Sequence, residues 1–142
     1  MKVVLRDLPD TAVGGEYYVI ECVVHTRISC TVHLLAHPSG QQIEIVFRGI
    51  IGLKVLDERD FGQFWRANLD TPDASFTGLV KQVLSGGWLQ EEEIRSSHIP
   101  TGFYGEVAEY LVSSDYECVN VLCTEYPVVR VISTFESQNR DC

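Results

Sequence analysis

Apolar and polar positions alternate along most of the first 56 residues of this 142-residue chain. Tyr17, Val19, Glu21 and Val23 interleave with Tyr18, Ile20, Cys22 and Val24, a β-branched and aromatic run that predicts a strand with at least one apolar face. A second run, Cys30 to Ala36, ends at His37-Pro38-Ser39-Gly40, which has the Pro and Gly of a tight turn. Gln42 to Phe47 then resumes the alternation, so the two runs predict a hairpin. In a third run, Ile50 to Leu56, Gly49 and Gly52 interrupt the strand pattern and predict a bulge or bend.

The period changes at Asp57. Asp60 can cap a short helix in which Phe61, Phe64 and Trp65 fall at i, i+3 and i+4, forming one apolar face. Asn68 to Ser75 is a turn-rich loop. Gly78 to Leu84 fits either period, but its position before Ser85-Gly86-Gly87 favours a strand entering a turn. Glu91, Glu92 and Glu93 follow, on a segment that reads as either strand or helix, and His98 to Gly105 forms another loop. Three short apolar runs close the pattern: Val107 to Val112, Cys118 to Cys123 and Val128 to Ser133. Their connections are short enough to predict an antiparallel meander. The polar tail over 136–142 is expected to fray. The expected fold is α+β: a single domain over 1–142, mostly antiparallel sheet, with one or two short helices on it.

Composition fits that picture. With 45% hydrophobic and 22% charged residues the chain reads as globular, and its length allows a core without metal or disulfide staples. The N-terminal apolar run is too short for a secretory segment, and no stretch approaches the roughly 18 apolar residues of a membrane span, so a cytoplasmic protein is expected. Five cysteines, Cys22, Cys30, Cys118, Cys123 and Cys142, are an odd number without a secretory signal. Reduced, mostly buried thiols are therefore expected, with terminal Cys142 exposed.

Charge adds a regional feature. The net charge of −9 is carried by residues 57–125, with 13 acidic against 4 basic side chains, while the flanking segments are balanced. A one-signed surface speeds encounter with an oppositely charged partner and selects it. The scattered Lys and Arg argue against nucleic acid and against anionic membranes.

Candidate chemistry is sparse. Cys22, His25, Cys30 and His33 form two Cys-x-x-His pairs, but in a strand i and i+3 point to opposite faces, so no metal site is expected. Asp57, Glu58 and Asp60 sit where strand gives way to helix. They lack a flanking histidine or metal motif, which leaves helix capping as their chemistry. Glu91, Glu92 and Glu93, with Trp88 as an aromatic anchor, are candidates for a partner-binding surface that Asp57, Glu58 and Asp60 could join. Trp65 reads as core. Cys118 and Cys123, five apart, should face opposite sides of one strand. Phosphate-loop, dinucleotide, nucleophile-elbow and zincin signatures are absent, and no catalytic residue or cofactor is expected.

With SGGWLQEEE at Ser85 to Glu93 and EYLVSSDYECVNVL at Glu109 to Leu122, the second half resembles bacterial immunity proteins of polymorphic-toxin and contact-dependent-inhibition systems. The resemblance implies a non-enzymatic inhibitor that docks an acidic surface onto a basic toxin domain. Two other readings stand beside it: a small enzyme or ligand-binding domain, using His33 or His98 with Asp57, Glu58 or Asp60 in a pocket between sheet and helix, and a self-associating structural dimer. Monomer and homodimer are both compatible with the sequence.

Overall fold

The computed structural model describes residues 4–8, 17–37, 39–57, 79–95, 106–114 and 117–132. Among them are strands β1 (Val4–Asp7), β2 (Tyr17–His25), β3 (Ser29–His37), β4 (Gln42–Arg48), β5 (Ile50–Asp57), β6 (Val80–Ser85), β7 (Ala108–Ser113), β8 (Glu117–Cys123) and β9 (Val128–Ile132). One helix, α1 (Trp88–Arg95), lies between β6 and β7.

The strands form two sheets, a five-stranded one in the order β1-β6-β7-β8-β5 and a four-stranded one in the order β2-β3-β4-β9. Every described pairing is antiparallel. Several sequence expectations hold. The ambiguous segment before the glycine pair is strand β6. The β3–β4 hairpin turns through Gly40 at φ 75°, closed by Gly40 N–H donating to Ala36 O at 2.9 Å. A register shift between Ile50 and Gly52 supplies the expected irregularity in β5.

The expected single sheet ending in a meander is corrected: β9 leaves β8 and pairs with β4 in the other sheet. A two-stranded ribbon turns a corner here. On one side of it β4 pairs with β9, and on the other β5 pairs with β8. Gly49 joins β4 to β5 at φ 66°, and Thr124 N–H, in the β8–β9 connection, donates to Gly49 O at 3.0 Å. Strands that switch sheets need such a bend, and a glycine in the left-handed region supplies one at no steric cost.

The sheets share one core. Inward residues Cys30, Val32 and Leu34 of β3 and Ile43, Ile45 and Phe47 of β4 cluster with Tyr110 and Val112 of β7 and Val119 and Val121 of β8. The Phe47 and Tyr110 rings meet across the sheets with centroids 5.9 Å apart. A second cluster, Leu5, Val83, Leu111 and Cys118, covers part of the other face of the five-stranded sheet. β7 and β8 are thus buried on both faces, which explains why their sequences read as near-continuous apolar runs rather than as alternation.

The helix expected around Phe61, Phe64 and Trp65 lies outside the described residues. α1 forms instead where the Glu91 to Glu93 segment was ambiguous, from Leu, Gln, Glu and Arg, which lose little rotamer freedom in a helix. Glu91 in its first turn and Arg95 in its last complement the helix dipole.

The reduced-thiol expectation is corrected at one position: Cys22 is disulfide-bonded, whereas Cys30, Cys118 and Cys123 are free and buried. Cys22 lies on edge strand β2 and is only partly buried, so a partner sulfur can reach it, while the other three are sealed in the two apolar clusters. Cys142 lies outside the described residues. Among the described residues, no helix is long and apolar enough to cross a membrane.

Candidate functional site

α1 sits on the outer face of the five-stranded sheet. Tyr110 and Val112 point into the shared core, so alternation turns Glu109 and Leu111 outward. Register then builds two rows on that face. Val83, Glu109, Leu122 and Gly52 lie across β6, β7, β8 and β5, and Lys81, Leu111, Asn120 and Lys54 lie beside them.

Two glycines let the helix approach. At Gly52 a Cβ would stand 2.5 Å from the Trp88 ring, so the indole rests on bare β5 backbone. Lys54 Nζ lies 4.2 Å from the ring centroid, a cation–π contact of about 0.5–1 kcal/mol at a partly exposed site. At Gly87 a Cβ would be 2.8 and 2.9 Å from the two Glu109 carboxylate oxygens. The chain before α1 therefore lies directly over a carboxylate.

Glu109 is 1% exposed. Its Oε1 accepts from Leu89 N–H at 2.8 Å, and its Oε2 accepts from Asn120 Nδ2 at 2.9 Å. Asn120 Nδ2 also donates to Tyr110 O at 3.1 Å. A strand carboxylate thus satisfies a first-turn donor that the helix itself cannot. Burial pushes the Glu109 pKa above its ordinary value, opposed by its bonds from Leu89, Asn120 and Trp88 and by the charge of Lys54.

The sequence-predicted residues fall into two places. Trp88, Glu91, Glu92 and Glu93 come together on α1, but they differ in role. Trp88 Nε1 donates to Glu92 Oε1 at 3.3 Å, and Arg95 Nη1 reaches the same oxygen at 3.3 Å, so Glu92 is engaged while Glu91 and Glu93 are exposed. Asp57 ends β5, five residues beyond Gly52 and hence roughly 17 Å along the strand from the Trp88 contact. Glu58 and Asp60 lie outside the described residues, as does His98. The acidic region divides in the same way. Glu117 is paired with Asp57 at one end of β8, while Glu125 follows the other end, near Glu106 before β7.

Comparison of the chain with protein-family models, curated proteins and solved structures finds no match.

Its chemistry therefore rests on geometry. A cavity of about 150 Å³ opens beside α1, lined by Val83, Leu84, Leu89, Gln90, Glu93 and Glu109 among others. Ligand sites commonly run to about 300–1,000 Å³, so this cavity is small, and the Glu109 carboxylate in its wall is engaged by Leu89 N–H and the Asn120 amide. His33 sits on the outer face of the four-stranded sheet. Its Nδ1 is 3.7 Å from Glu44 Oε1, and Glu44 Oε2 accepts from Arg130 at 2.7 and 3.1 Å. That row runs straight across β3, β4 and β9, away from Asp57 in the other sheet. The β2–β3 register sets Cys22 opposite His33 and His25 opposite Cys30, but Cys22 is disulfide-bonded, Cys30 is fully buried and His25 is exposed. Among the described residues, no group of three or more His, Cys, Asp and Glu is placed to hold a metal.

Burial pushes the Cys30 and Cys123 thiols up to about 11 and Cys118 higher still. Neutral buried thiols are poor nucleophiles. Alkylation at pH 8 should spare all three in the native protein. In denaturant without reductant they should label while Cys22 does not, as read by peptide mapping; equal labelling of Cys22 would refute the disulfide.

Sequence reasoning missed Glu109, Asn120, Gly52 and Gly87. A signal existed for two of them: Glu109 and Asn120 are polar residues inside strands otherwise buried, although nothing in the spacing said that they meet.

Proposed function

We propose that this chain is a non-enzymatic protein-binding module that presents the solvent side of α1 to a basic partner. The observation that carries this reading is that α1 buries none of its side chains. Glu91 and Ile94, three residues apart and hence neighbours on one side of the helix, both face solvent, with Ile94 73% exposed. An apolar residue beside unpaired carboxylates suits an interface in which charge steers and apolar contact holds. Trp88 anchors the helix from beneath.

The resemblance of the second half to immunity proteins supports a finer version, in which the partner is a basic toxin domain and the module its inhibitor. The core common to both sheets supports treating the 142 residues as one domain. The Cys22 disulfide favours an oxidising compartment over the cytoplasm.

With a purified basic toxin domain as partner, association should slow as salt is raised. Reversing Glu91 and Glu93 together to lysine should slow it by about tenfold or more, whereas Glu21→Lys on β2 should change it by less than about twofold. Equal effects of the two reversals would remove α1 from the interface.

A further inference from the structure

The outer face of the four-stranded sheet is shielded along one diagonal and bare beside it. Cys30, Val32, Leu34 and Ala36 of β3 fill the shared core, so alternation turns His33 and Leu35 outward. Register then places three outward rows side by side. The first holds Leu35, Gln42 and Ile132, the second Cys22, His33 and Glu44, and the third runs from Val24 to Val128. The third row is open, since Val24 and Val128 are both exposed. The first two are not. Ile132 is 5% exposed although it belongs to neither apolar cluster, His33 is 6% exposed, and Gln42 Oε1 is buried. No described strand or helix remains to shield them, because every strand lies in one of the two sheets and α1 packs on the other one.

The diagonal starts at Ile132 on β9, the last described residue, and ends at Cys22 on β2, which is disulfide-bonded. Of the five cysteines, Cys30, Cys118 and Cys123 are free and sealed in the two clusters. That leaves Cys142 as the partner this chain can supply.

We propose that residues 133–142 form a strap that runs from Ile132 back across the outer face of the four-stranded sheet and is locked there by a Cys22–Cys142 disulfide.

The reach is sufficient. β9 and β2 are the two edges of this sheet, three strand spacings or roughly 14–15 Å apart, and the Cys22 row lies about 7 Å along the strands from the Ile132 row. Ten residues can extend to roughly 33–36 Å, twice what the diagonal needs. The inner face is filled by the core, so the path lies over the outer one, where Ile132, Gln42 and His33 have lost their solvent. A single strap also explains why the neighbouring row stays bare.

The bond forms by thiol–disulfide exchange with a low-molecular-weight disulfide. One protein thiolate attacks it and expels a thiol, and the second protein thiolate then displaces the other. Two protein thiols thus lose two protons and two electrons, and the external disulfide gains them. A dithiol reductant reverses the exchange, so exposure of the His33 and Glu44 row follows the redox state of the surroundings. The α1 surface lies on the other sheet and takes no part in this.

The test uses the full-length chain purified without reductant, its free thiols alkylated before digestion. Peptide mapping is expected to show one cross-linked pair, the peptides carrying Cys22 and Cys142, lighter by two hydrogens than the two reduced peptides together. Diethylpyrocarbonate labelling at neutral pH then reads the cover. His33 should react about threefold or more faster in C142S than in wild type, while exposed His25 reacts equally in both. Wild-type protein opened by a dithiol reductant should give the same acceleration, which keeps the readout if C142S fails to fold. A free Cys22, a cross-link from Cys22 to another cysteine, or a disulfide joining two copies of the chain would overturn the proposal. So would a Cys22–Cys142 link whose loss leaves His33 labelling unchanged, because the segment would then be tied to β2 without crossing the face.

Discussion

Replacing Phe47 with alanine is expected to lower stability by about 3–5 kcal/mol, the usual range for truncating a fully buried phenylalanine. Phe47 is 0% exposed and lies on the inner face of β4. Its ring meets Tyr110 of the five-stranded sheet at 5.9 Å, and Tyr110 in turn meets Tyr126 edge-on at 6.3 Å. The truncation therefore removes a side chain that both sheets pack against. β-Sheet walls on either side cannot collapse far into the gap without breaking ladder hydrogen bonds, so the cost should lie well above the transfer term alone. Urea denaturation should show a lower midpoint at an unchanged slope, with both sheets unfolding together. Arg48→Ala, the next residue on the same strand but exposed, should stay within about 0.5 kcal/mol of wild type. A loss below about 1 kcal/mol at Phe47 would mean that the sheets do not depend on this contact.

The same inter-sheet packing marks the limit of what the sequence discloses. Alternation at Tyr18 to Val23, the Pro-Ser-Gly turn before Gln42 and the glycine pair before Trp88 each report local geometry, and local geometry was read correctly from them. Sheet membership is not local. Val128 to Ile132 reads the same whether β9 pairs with β8 or with β4, because each choice offers it an antiparallel neighbour. The short link Thr124–Pro127 suggested the nearer strand. The decision lies in Gly49, 75 residues before Thr124, where the chain bends and lets both strands of the ribbon change sheets.

The helix site divides along a similar line. Trp88 and the glutamates drew attention because aromatic and charged residues cluster in sequence, and they do share one helix. Their roles could not be read that way. Glu92 is occupied by Trp88 and Arg95, which needs i+3 and i+4 neighbours and hence a helix, where strand geometry was equally open. Glu109 counted as one more acidic residue of a charged region, yet it is a buried cap. Its meaning depends on Leu89 and Asn120, brought to it from 20 and 11 residues away. Charge tallies treat all carboxylates alike, and burial separates them. Among the region's described acids, Glu91, Glu93, Glu106, Glu117 and Glu125 contribute to the surface and Glu109 does not.

Gly49→Ala should be the most damaging single-methyl change in the described structure, at on the order of 2–5 kcal/mol, because two costs fall on one atom. The first is conformational: φ is 66°, a region where a side chain costs about 1–3 kcal/mol. The second is steric. An added Cβ would stand 2.0 Å from Thr124 Oγ1 and 3.3 Å from Thr124 Cβ, and Thr124 is pinned there by its own N–H bond to Gly49 O at 3.0 Å. Gly40 separates the two costs. It has a similar φ of 75° but nothing within 4 Å of an added Cβ, so Gly40→Ala should show the conformational cost alone. Thr124→Ala removes the offending oxygen, and in that background Gly49→Ala should become milder by about 1–3 kcal/mol, a coupling that a double-mutant cycle reads directly. If Gly49→Ala and Gly40→Ala cost the same, and Thr124→Ala gives no relief, the two strands are not locked together at the corner. The ribbon would then turn between sheets without the contact that fixes its bend, and β9 would lose the geometric reason for leaving β8.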